Sequence, residues 1–202
     1  HCITLGSDRP EAPALAFFGG VHGLEKIGSE VILSYMQTIS CLLDWDEEFV
    51  ARLQNSRLIF VPLVNPVGVY IGTRANGNGV DLMRNAPVEA DGATKLYCGQ
   101  RISHRLPWYR GIEGAMELEA QALCRVVEKH LFNSRLSIAL DLHSGFGLRD
   151  RLWFPYASRK TPFGYLAEML ALKENFDRCY PYHIYQIEPT CTEYLINGDL
   201  WD

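Results

Sequence analysis

The feature that most constrains this chain is the alternation of short apolar runs with longer helical patterns. Residues 13–18 (PALAFF), 57–64 (RLIFVPLV) and 135–142 (RLSIALDL) are continuous apolar runs of strand length. The first is closed by Gly19-Gly20, the second by Asn65-Pro66-Val67-Gly68 and the third by His143-Ser144-Gly145. Runs of this kind, apolar throughout and bounded by turn residues, suit strands buried on both faces. Between them, Ile27, Val31, Ile32, Tyr35, Met36, Ile39 and Leu43 recur at three- and four-residue steps. That spacing predicts a helix over about 25–43 with one apolar stripe. A shorter helix is expected over the acidic patch Asp44 to Glu48 and the segment Phe49 to Leu53, and another over about 115–131, where Leu118, Ala122, Leu123, Val126 and Val127 share a face. A fourth strand near 152–156 and a helix from Tyr165 to Leu172 complete the pattern. Strand and helix in alternation imply an α/β fold, a mixed and mostly parallel sheet with helices on both faces. Asn65 to Gly68 reads as a turn, and 70–108, rich in Gly, Asn, Asp and Pro, as a long functional loop.

Length and charge narrow the function classes. The 202 residues suffice for one domain with a substantial core, and 48% of them are apolar. The net charge of −5, with no run of Lys or Arg among aromatics, argues against a nucleic-acid partner. No apolar stretch reaches the length needed to span a bilayer. The six cysteines are scattered without a CxxC, so they are expected to be reduced thiols, Cys41 and Cys124 as core residues. With no visible signal peptide, a cytoplasmic location is the expectation. Both ends read as cut.

The chemistry-bearing residues sit at strand ends. His22 and Glu25 (HGLE) fall where the first strand becomes the first helix, and His143 follows the third strand. Ligand sites of open α/β sheets gather there. Two His and one Glu are the donor set of a catalytic zinc site, which keeps one position for water. On spacing alone a second reading stays open: a helix-start His with a first-turn Glu favoured by the helix dipole, and a His143 that is simply satisfied.

Five segments, in order, carry a resemblance that bears on this choice. Residues 13–28 (PALAFFGGVHGLEKIG) resemble the first zinc signature of the carboxypeptidase A superfamily, the zinc carboxypeptidases. Val64-Asn65-Pro66-Val67-Gly68 is similar to its Asn-Pro-Asp-Gly turn, and residues 79–87 (GVDLMRNAP) to its G-V-D-L-N-R-N-F-P stretch. Tyr109-Arg110-Gly111 with Glu117 and Glu119 resembles a segment that opens a family helix, and Asp141-Leu142-His143-Ser144 the strand of the third ligand.

The resemblance implies a zinc metallocarboxypeptidase that removes C-terminal residues from peptides, with one Zn2+ per chain on His22, Glu25 and His143. It further implies that Asp81 orients His22, that Arg74 polarises the scissile carbonyl, that Arg84 grips the terminal carboxylate, and that Tyr185 closes over the substrate. The general-base Glu is expected beyond Asp202, since Glu188 and Glu193 lie too close to Tyr185. Met83 stands where the family has an Asn partner for the carboxylate-binding Arg, and a thioether donates nothing. Two alternatives therefore stand beside the peptidase. One is a zinc deacylase of N-acyl amino acids, of the aspartoacylase and succinylglutamate desuccinylase type. The other is a non-catalytic zinc-holding peptide-binding domain. His104 and the remaining histidines have no ligand spacing.

Overall fold

The computed structural model describes residues 1–92, 95–145 and 147–202. Phe146, three residues past His143, and residues 93–94 of the long loop lie outside it. The chain divides into two compact units: residues 1–82 with 116–145, and residues 83–115 with 146–202.

The first unit is built on a four-stranded sheet. Its strands are β1 (Ile3–Gly6), β2 (Ala14–Gly19), β3 (Arg57–Val61) and β4 (Ser137–Leu142), in the spatial order β1-β3-β2-β4. β2 pairs in parallel with both β3 and β4, and β1 runs antiparallel on β3. The mostly parallel α/β sheet expected from the apolar runs is what forms. β1 is the strand that periodicity did not mark, because it is short, exposed and closed by Gly6. β3 stops at Val61, before Pro62, which has no N–H for a further ladder bond.

The helices of this unit are α1 (Lys26–Trp45), α2 (Glu47–Leu53), α3 (Pro66–Ile71) and α4 (Leu118–His130). α2 is capped by the Asp46 carboxylate, which accepts the Phe49 N–H at 2.9 Å. α3 replaces the turn expected at 65–68. Asn65 caps it by accepting the Gly68 N–H at 2.8 Å, Pro66 supplies the first helical position, and Gly72 ends it in the left-handed conformation. The same residues signal a turn or a short helix, and the cap decides. On α1 the buried stripe is Gly28, Ile32 and Ile39, while Ile27, Val31 and Leu43 face outward. Two overlapping stripes fit the same spacing, and packing on the sheet selects one. Cys41 lies on the outer side and is exposed, against the core role expected for it.

The core follows from that choice. Ile32, Ile39, Leu53, Leu58 and Phe60 form a buried cluster, joined by Phe17, Tyr35 and Leu142. Phe17 stacks on Phe60 with ring centres 5.4 Å apart, and Tyr35 meets Phe17 edge-on. Each such side chain contributes roughly 1.5–3 kcal/mol through burial.

Gly28 sets how closely α1 approaches β4, since a Cβ there would lie 2.4 Å from the Leu142 carbonyl oxygen. Gly23 does the same for the β2–α1 turn: a Cβ would lie 1.9 Å from the Gly68 carbonyl carbon. Both positions admit only hydrogen, so helix and turn seat directly on their neighbours' backbones.

The second unit holds a parallel pair, β5 (Arg151–Phe154) and β6 (Gln186–Pro189), connected through α5 (Leu166–Cys179). The helix is longer than the pattern to Leu172 suggested. Pairing runs as far as Pro189 opposite Phe154, so Pro189 ends the strand and does not prevent it. Among the described residues, no helix is long and apolar enough to cross a membrane.

Candidate metal centre

The register of β2 on β4 explains how distant parts of the chain converge. Gly19 pairs with Leu142, so His22, three residues past Gly19, and His143, one past Leu142, emerge at the same end of parallel neighbours. The chain leaves β2 towards β3 on one side and returns as β4 on the other. The crevice at such a reversal is where α/β sheets place ligands.

The turn carrying His22 is held on several sides. The Val64 and Asn65 N–H groups donate to the Gly19 and Gly20 carbonyls at 3.0 and 2.9 Å. The Asn65 amide, wholly buried, donates to the Val21 carbonyl at 3.1 Å. The Glu25 N–H returns to the His22 carbonyl at 3.0 Å. Glu25 is the first residue flanking α1, yet its carboxylate makes no cap bond to the helix. It accepts instead the Ser144 N–H at 2.7 Å and reaches both imidazoles. The helix-dipole reading of Glu25 therefore gives way to a shared cluster.

Three donor atoms face one another. His22 Nδ1 lies 2.9 Å from Glu25 Oε1, His143 Nδ1 3.2 Å from Glu25 Oε2, and the two Nδ1 atoms 3.2 Å apart. Ligand atoms about 2.0–2.1 Å from a tetrahedral zinc are separated by roughly 3.3 Å. The trio is thus close to the spacing a zinc ion needs. His22, Glu25 and His143 form a group that could hold a metal ion, with all its ligand atoms within 4.8 Å.

Behind the imidazoles stand two carboxylates. His22 Nε2 meets Asp81 Oδ1 at 3.0 Å, and His143 Nε2 meets Asp141 Oδ2 at 2.8 Å. Asp81 comes from a tight loop organised by the buried Asn76, whose Oδ1 accepts the Asn78 and Val80 N–H groups. The Asn76 amide in turn donates to Glu117 and Glu119 at the start of α4. Arg74 donates through Nε to Asp81 Oδ2 at 2.8 Å and lies 3.5 Å from Glu25 Oε1 through Nη1.

These contacts polarise the groups. Burial raises the Glu25 carboxyl, but hydrogen bonds to His143 and His22, with their charge, outweigh it and hold the group well below the carboxylate range. Burial lowers the His143 imidazole, yet Asp141 first and Glu25 next push it up to about 10. In the metal-free protein a proton on His143 occupies the place of a cation.

His22, Glu25, Arg74, Asp81 and His143 are brought together in the first unit. Arg84 and Tyr185 belong to the second. Arg84 is buried, donating to the Met83 and Tyr97 carbonyls at 3.2 and 3.4 Å, and its Nε has no acceptor among the described residues. Tyr185 is exposed, with its ring edge-on to Phe176. Glu188 and Glu193 both pair with Arg151, and the Trp153 indole donates to Glu188 at 3.2 Å. Asp141 escaped notice as a partner of His143, although Asp-x-His on a strand puts both side chains on one face by the period of two. The Ser144 N–H carried no side-chain signal at all.

Two imidazoles and a carboxylate at the strand ends of an α/β sheet, each imidazole backed by a further carboxylate, make a donor set that could hold a metal ion. The chain belongs to the zinc carboxypeptidase family, whose pattern matches residues 2–200. It is 30% identical over 157 residues to the catalytic chain of human carboxypeptidase N, an alignment covering 69% of this chain and 32% of that protein. The chain thus spans about a third of that relative's length. Its fold is similar to that of carboxypeptidase A from Helicoverpa armigera, with a TM-score of 0.77 and 18% identity over 98% of this chain and 51% of that one. An aspartoacylase family protein from Mesorhizobium loti is similar in fold at a TM-score of 0.50 and 20% identity, covering 92% of this chain and 46% of that one.

Proposed function

We propose that the protein is a zinc metallocarboxypeptidase that hydrolyses the C-terminal peptide bond of peptides, with one zinc per chain on His22, Glu25 and His143. The observation that carries this reading is the meeting of their three donor atoms at zinc spacing on the ends of β2 and β4. Bound there, zinc supplies an acidified water and a Lewis acid for the scissile carbonyl. Asp81 holds the His22 ring by its outer nitrogen. Arg74 balances the negative charge of Asp81 and Glu25 and offers a planar cation to a developing oxyanion. Arg84 is assigned to the substrate's terminal carboxylate, supported by its buried guanidinium with an unused Nε–H. Tyr185 is assigned to cover the substrate. Glu188 and Glu193 are engaged by Arg151.

The metal assignment is tested by elemental analysis of the purified protein and its variants. His22→Ala and His143→Ala are expected to lose the zinc, and His104→Ala to keep it. Equal zinc in all three would end the assignment. Met83, at the place of the family Asn, favours a second reading, cleavage of small N-acyl amino acids. Peptides with free C-termini, their C-terminal amides and N-acyl amino acids, assayed in parallel, separate the two. The peptidase reading requires turnover of the first alone.

A further inference from the structure

The two imidazoles of the centre are restrained to different degrees. His22 sits in a turn packed by Gly23 and Asn65, and its side chain is 5% exposed. His143 lies just past the end of β4, and its side chain is 29% exposed. A ring this open, on a strand end, keeps rotational freedom and a choice of tautomer unless something takes hold of it. Asp141 does so. Its side chain is 8% exposed, and its Oδ2 lies 2.8 Å from His143 Nε2, on the side of the ring away from Glu25. Period-two geometry points both side chains to one face of β4, so the strand itself aims the carboxylate.

We propose that Asp141 is a positioning residue for the metal centre, accepting the Nε2–H of His143 so that Nδ1 alone is turned to the metal. This rests on the metal assignment above and adds a second carboxylate–imidazole pair to that of Asp81 and His22. The two differ in support: Asp81 is also bound by Arg74, and His22 is held by packing as well, so His143 depends more on its carboxylate. Carboxylates behind metal-bound imidazoles fix ring orientation, and their loss costs roughly 10- to 100-fold in metal affinity.

The test is the pH-independent zinc affinity, obtained by competition with a chromophoric chelator over a range of pH so that the proton zinc displaces is divided out, for the wild-type protein, Asp141→Ala and Asp141→Asn. Thermal unfolding of the metal-free forms verifies that each is folded. Asp141→Ala is expected to bind zinc 10- to 100-fold more weakly. Asp141→Asn, whose amide oxygen still accepts the Nε2–H, is expected to fall between the two. The 15N shifts of His143 in zinc-loaded protein should report a metal-bound Nδ1 and a protonated Nε2 in the wild type and in Asp141→Asn. Unchanged affinity in Asp141→Ala, or an Asn loss equal to the Ala loss, overturns the proposal while leaving the metal assignment standing. If Asp141→Ala does not fold, a several-fold loss in Asp141→Asn is still expected, and no loss overturns the proposal. A wild-type protein that binds no zinc removes the metal assignment and this inference together.

Discussion

At the scale of single residues, the centre is a set of charges arranged to exchange a proton for a metal. His143, pushed up to about 10 by Asp141 and Glu25, is protonated at neutral pH in the metal-free protein. Its folded value lies above the ordinary 6.5, so the stabilisation it gives the metal-free fold is complete below about 6.5 and fades as pH rises through about 10. Zinc demands the opposite state, a bare Nδ1. Zinc binding at pH 7–8 is therefore expected to release close to one proton from His143, and affinity should climb about tenfold per pH unit towards 10. Calorimetry in two buffers of different ionisation enthalpy counts that proton. A binding reaction that takes up no proton from, and gives none to, the buffer would contradict the charge arrangement. Glu25, held ionised by both imidazoles, contributes no competing proton in this range.

At the scale of elements, the site depends on how closely a helix lies on a strand. α1 brings Glu25, and β4 brings His143, and the contact between them is the bare Cα of Gly28 on the Leu142 carbonyl. A methyl group at 2.4 Å from backbone has no side chain to push aside, so the helix must move. Gly28→Ala is expected to cost about 1–3 kcal/mol of stability by overpacking. It should also weaken zinc binding, because metal geometry tolerates displacements of only about 0.5 Å. Urea unfolding of the metal-free protein and a zinc titration measure the two effects. Loss of stability with full zinc affinity would show that the strand and helix ends move together. Ile27→Ala, on the outward side of the same helix, should change neither by much.

At the scale of the whole molecule, zinc bound as proposed would join residues 22, 25 and 143 in one ligand set and should stabilise the fold that assembles them. At a free zinc concentration 100 times the dissociation constant, the gain is about 2.7 kcal/mol. For a chain of this size that raises Tm by roughly 5–11 °C. A chelator should reverse the shift, and His143→Ala should not display it. Much of this assembly is legible without coordinates. The apolar runs mark β2, β3 and β4, and the strand-end positions of His22, Glu25 and His143 mark the centre. Both signals are local, written in spacing and composition. β1 was hidden because four residues, three of them exposed, are too short to bear a pattern. α3 was hidden because Asn-Pro-x-Gly serves a turn and a capped helix equally. Which stripe of α1 is buried depends on the face the sheet presents. Sequence by itself determined the longer strands and helices and the candidate ligand residues, because periodicity and donor chemistry are properties of the residues. Only the tertiary structure decided the pairing of β2 with β4, the bare approach at Gly28 and the Asp141–His143 contact. Those are distances between segments far apart in the chain, set by packing that no short stretch contains.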